Sequence, residues 1–142
     1  MGGVTTGGVR LVLRTEGACI LVACVLAYAK LGYGWGSFAL FFLAPDISLL
    51  AYMAGPRTGA AFYNATHSLI GAAAVLAFGC LFGSDLAISA GLIWCAHIGF
   101  DRMLGYGLKY ASGFGVTHLG LIGRARLAPN NSSKPKPLRG AD

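Results

Sequence analysis

Four polar residues interrupt apolar runs in this chain, and their types are those of ligands and acid–base groups. In "CAHIGFDRMLGYGLKY" (95–110), His97 and Asp101 stand four residues apart. On a helix that spacing puts both side chains on one face, a turn apart. Asp46 follows Pro45 in "FFLAPDISLL", and His67 ends the polar step "NATH". Imidazole nitrogens and carboxylates are natural ligands for zinc, manganese or iron, and an i, i+4 His/Asp pair can supply two of them. The same set could pass protons, because histidine and membrane carboxylates titrate within reach of neutral pH. It could equally do no chemistry and lock helices together by hydrogen bonds. Glu16 is a candidate general base. Asn64, Arg57 and Arg102 are candidate pocket residues, and His118 in "VTHLG" is a candidate additional ligand.

Helices must carry these groups. The chain has 142 residues, 56% hydrophobic and 11% charged, against about a quarter charged in a soluble domain. Mean hydropathy is +0.65. The composition fits a bilayer, and the length fits one domain. The periodicity and turn signals predict an all-α bundle of four membrane spans, at about 11–29, 36–54, 58–82 and 86–104. Each is close to the ~20 residues that cross hydrocarbon. A glycine-rich, semi-polar segment (105–127) follows, either surface-lying or folded back under the bundle. Residues 128–142 read as a disordered basic tail. Pro45 denies its N–H to the second span and predicts a kink beside Asp46. The four cysteines form no CxxC pair and read as small buried apolar groups.

With four spans, ten of the eleven lysines and arginines fall on the side that holds both termini; Lys30 alone falls on the other. That asymmetry predicts cytoplasmic termini in an inner membrane. The net charge of +6 is therefore flanking charge on membrane segments. Lipid is the expected partner and nucleic acid is not; the sequence leaves the oligomeric state open. Counted from the cytoplasmic ends at 1.5 Å per residue, Asp46, His67 and His97 lie about 12, 14 and 10 Å deep, and Asp101 about 5 Å. Groups at similar depth in one leaflet can meet, and charge in hydrocarbon is costly enough to require that they do.

Two resemblances bear on function. "FFLAPDISLLAYMAGPRTGAAFYNATHS", then "IWCAHIGFDRMLGYGLKY" and "THLG", resemble a small bacterial membrane family known as domain-of-unknown-function family 4260, over roughly residues 10–123. That resemblance implies a four-span bacterial membrane protein and no particular activity. Pro45-Asp46, Thr66-His67-Ser68, and His97 with Asp101 are also similar to the inner-membrane metal-dependent hydrolases. "DISLLAY" carries none of the extra acidic and histidine residues that family has there. This second resemblance implies a divalent metal (zinc, manganese or iron) held by Asp46, His67, His97 and Asp101, and a lipid-linked or amphipathic substrate. Three function classes follow: such a hydrolase, a structural or assembly protein whose polar cluster joins helices, and a small proton-coupled transporter or accessory subunit.

Overall fold

A computed structural model of the chain describes Thr5, residues 7–123 and Ala125. The tail at 128–142 lies outside the described residues. The fold is an all-α bundle with one small hairpin. Helix α1 (Gly7–Lys30) is followed by α2 (Trp35–Phe41), a 3₁₀ helix (Ala44–Ala54), α3 (Pro56–His67), α4 (Leu69–Phe82) and α5 (Asp85–Leu104). Strands β1 (Val116–Thr117) and β2 (Gly120–Leu121) pair antiparallel. By length and composition, Gly7–Lys30, Trp35–Ala54 and Pro56–Phe82 can each cross a membrane. The outward faces of the second and third carry Met53, Ile70 and Leu81 at 80% exposure or more, a surface suited to lipid and costly in water.

Helix α5 is built differently. It buries Gly91, Leu92, Ile93, Cys95, Ala96, His97, Ile98 and Gly99 and packs between α1 and α4. Its 20 residues span about 30 Å, the thickness of a hydrocarbon core. Because its neighbours shield it, it can carry polar side chains that a lipid-facing helix could not. The α1–α5 crossing is close. A Cβ on Gly17 would lie 2.8 Å from the Gly99 carbonyl oxygen, and one on Gly99 would lie 2.7 Å from the Leu21 nitrogen. Small residues of this kind let membrane helices approach backbone to backbone. Helix α5 ends at Gly105 (φ 95°). The amide of Tyr106 donates to the Asp101 carbonyl at 2.8 Å, and Arg14 Nε donates to the Met103 carbonyl at 2.8 Å. Both satisfy carbonyls that a helix terminus leaves free.

Two of the expected continuous spans are broken, each beside a polar residue of interest. The second is α-helical only to Phe41; from Ala44 it is a 3₁₀ helix with Pro45 in its first turn. The kink expected at proline thus becomes a change of helix type over eleven residues, long for 3₁₀ geometry. The third span breaks at Ser68, whose backbone is extended (φ −83°, ψ 145°). The Thr66 carbonyl at this break accepts the Trp94 indole N–H at 2.6 Å.

The segment after α5 folds back under the bundle. The Thr5 amide donates to the His118 carbonyl at 3.0 Å. The Asn64 side chain donates to the Lys109 carbonyl at 2.8 Å and accepts its amide at 2.7 Å. Leu119 and Thr117 are buried in consequence. The four cysteines are all free; Cys24 and Cys95 are buried as expected, whereas Cys19 and Cys80 are exposed.

Candidate metal centre

Asp46 comes from the first turn of the 3₁₀ helix, His67 from the last position of α3, and His97 and Asp101 from one face of α5. His67 Nε2 lies 3.1 Å from His97 Nε2, 3.3 Å from Asp46 Oδ1 and 3.5 Å from Asp101 Oδ2. His97 Nε2 lies 3.6 Å from Asp46 Oδ1. One donor atom from each residue falls within 4.8 Å of all the others. Ligands at about 2.0–2.1 Å from a tetrahedral ion are about 3.3 Å apart, so four of these spacings are those of a coordination shell. Both histidines are buried, while the two carboxylates are partly open.

The orientation of His67 is fixed locally. Its Nδ1 is 3.0 Å from the Tyr63 carbonyl, one helical turn back, and a carbonyl can only accept. Nδ1 therefore carries a proton, which in the neutral ring leaves the Nε2 lone pair facing the other three residues. Such a hydrogen bond to the far ring nitrogen is the usual way a metal-binding histidine is held. Tyr63 contributes twice more. Its ring stacks on the His67 ring at 3.7 Å and 10°, and its hydroxyl donates to Asp101 Oδ2 at 3.0 Å. Thr66 Oγ1, at 2.9 Å from both Ser48 Oγ and His67 Nδ1, ties the 3₁₀ helix to the end of α3. His97 has no such support: its Nδ1 is buried without a hydrogen-bond partner, and the Phe42 ring stands edge-to-face against it.

The remaining candidates are elsewhere. Glu16 is exposed on α1 and lines a separate cavity of about 660 Å³ with Arg102 and Leu69, so the structure does not bring it to the cluster as a base. Arg57 is exposed at the start of α3. Asn64 is one turn from the cluster, but its side chain is spent on the Lys109 backbone. His118 is not a ligand of this group: its Nδ1 accepts the Leu108 amide at 2.8 Å, and burial holds it below the usual imidazole range. Its role is to fasten the hairpin.

Comparison with known proteins adds a family. A family model described as a domain of unknown function (DUF4260) matches residues 10–122. The chain belongs to that family. No curated protein and no solved structure matches it significantly. The matched span includes all four cluster residues and the hairpin.

Two residues near the cluster carried no clear signal in the sequence. Tyr63 could have been found, since it precedes His67 by four residues and so shares its face. Lys109 could not. It is 4% exposed, and its Nζ lies 4.9 Å from the Tyr63 ring centre, 4.0 Å from Phe114 and 5.8 Å from Tyr106. Burial lowers its pKa to about 8, partly opposed by the attraction of Asp101. Only the hairpin fold brings it there.

Proposed function

We propose that Asp46, His67, His97 and Asp101 form a divalent metal centre, and that the protein is a metal-dependent hydrolase of amphipathic membrane substrates. The observation that carries this reading is the convergence of four donor atoms within 4.8 Å, with the His67 lone pair already aimed among them. Two imidazoles and two carboxylates suit zinc, manganese or iron. A divalent ion held there supplies Lewis acidity toward an ester oxygen and lowers the pKa of water. The chain itself supplies orientation. Tyr63 holds Asp101 by its hydroxyl and His67 by its carbonyl. The partial exposure of Asp46 and Asp101 leaves the centre open on one side. In this reading the lysine and arginine asymmetry sets the cluster in the cytoplasmic half of an inner membrane.

One observation favours a different role. If His97 binds a metal through Nε2, its Nδ1–H is left buried without an acceptor. Without metal, Nε2–H can donate to Asp46 or His67, and the orphan is a bare lone pair, which costs less than an orphan N–H. That supports an interhelical hydrogen-bond network. The test is metal per mole of folded protein for wild type, His97→Gln and Asp101→Asn, after mild detergent purification and after loading with zinc, manganese or iron. The metal reading expects close to one ion in wild type and loss of it in His97→Gln with the fold kept. It also expects weaker retention in Asp101→Asn. Wild type that takes up no ion under any loading refutes the hydrolase and leaves the network.

A further inference from the structure

A cavity of about 460 Å³ adjoins the cluster. Its lining includes Phe41, Pro45, Thr66, Leu86, Ile93 and Trp94, of which Pro45 and Thr66 immediately precede Asp46 and His67. The volume is that of a small-molecule site. Along α5 the lining runs from Leu86 to Trp94, about 12 Å at 1.5 Å per residue. His97 and Asp101 continue the same helix beyond Trp94. The cavity is thus a mostly apolar slot between the second span and α5, lined from Leu86 to Trp94 and, beside the polar cluster, by Pro45 and Thr66.

Charge at the cluster end selects a headgroup. Two carboxylates balance a divalent ion. The Lys109 ammonium, 4.9 Å from the centre of the Tyr63 ring that stacks on His67, then leaves one net positive charge. An anion is favoured there, and the slot can take a single hydrocarbon chain out of the bilayer.

We propose that the substrate is a single-chain amphiphile with an anionic headgroup, its chain in the slot between Phe41, Leu86 and Trp94 and its head on the Asp46/His67/His97/Asp101 cluster. This rests on the metal-centre reading for the head; the chain site does not depend on it. Thr66 links the two, since it lines the slot and its hydroxyl lies 2.9 Å from His67 Nδ1.

Trp94 provides the readout, because the chain has only two tryptophans and Trp35→Phe leaves Trp94 alone. Trp35→Phe protein, loaded with zinc in phosphatidylcholine nanodiscs, is titrated with decyl phosphate brominated along its chain, and Trp94 quenching is followed. Saturable quenching is expected. Filling the slot by Ala90→Phe, or from the opposite wall by Ser37→Phe, is expected to weaken the apparent affinity at least tenfold while bound zinc stays unchanged. A brominated decyl trimethylammonium ion is expected to bind at least tenfold more weakly than the phosphate. Quenching that rises linearly without saturation is partition into bulk lipid and overturns the chain site. Saturable binding that neither filling variant alters overturns it too. Equal binding of the cationic amphiphile overturns the headgroup assignment. Protein that takes up no zinc, manganese or iron, yet shows saturable binding weakened by both variants, keeps the chain site and removes the hydrolase.

Discussion

Removing the Asn64 side chain tests how the hairpin is held against the bundle. Asn64→Ala deletes both bonds to the Lys109 backbone, at 2.8 and 2.7 Å, and leaves a buried amide and a buried carbonyl unpaired. Each orphaned group costs about 1–3 kcal/mol, so the hairpin's attachment should weaken by roughly 2–4 kcal/mol after partial relaxation. At about 1.4 kcal/mol per decade, that is a thirtyfold or greater rise in local opening. Amide hydrogen exchange resolved at Lys109 is the assay, with helix α5 amides as an internal reference. Asn64→Asp should fall between wild type and alanine, because it keeps the acceptor for the Lys109 N–H and loses only the donor. Lysine 109 exchanging at its wild-type rate in Asn64→Ala would refute the claim that this side chain anchors the segment. Equal acceleration throughout α5 would show global loosening instead.

Two further outcomes are expected. Lys109 has a folded pKa near 8 against about 10.4 unfolded, so the unfolded state binds the extra proton between those values and stability should rise with pH across that window. Thermal melts from pH 7.5 to 10 should show the rise in wild type, on the order of 1–3 kcal/mol, and a flatter profile in Lys109→Met; matching profiles would remove Lys109 as the cause. In a cysteine-free background, Arg57→Cys should be protected from an impermeant thiol reagent applied to intact cells and Gly34→Cys should react, the reverse pattern placing the cluster in the outer half of the membrane.

What the sequence determined was local. Apolar length marks the spans, and α5 (Asp85–Leu104) begins and ends within a residue of its expected limits. Depth is also local, since each residue advances a fixed 1.5 Å along a helix. That is why Asp46, His67, His97 and Asp101 could be expected in one leaflet from three separate stretches, and the structure brings their donor atoms within 4.8 Å. Rotation about the helix axis, by contrast, depends on what each helix packs against. Glu16 is in the same half of the bundle by sequence, yet α1 turns it outward, toward the cavity it shares with Arg102. The break at Ser68 was not legible either. No proline or glycine stands there, and the freed Thr66 carbonyl finds its donor in Trp94, 28 residues away. Lys109 and His118 were decided last of all. A glycine-rich segment has weak local preferences, and Lys109 reaches the Tyr63 ring only once Asn64, Thr5 and the two short strands have fixed the hairpin beneath the bundle.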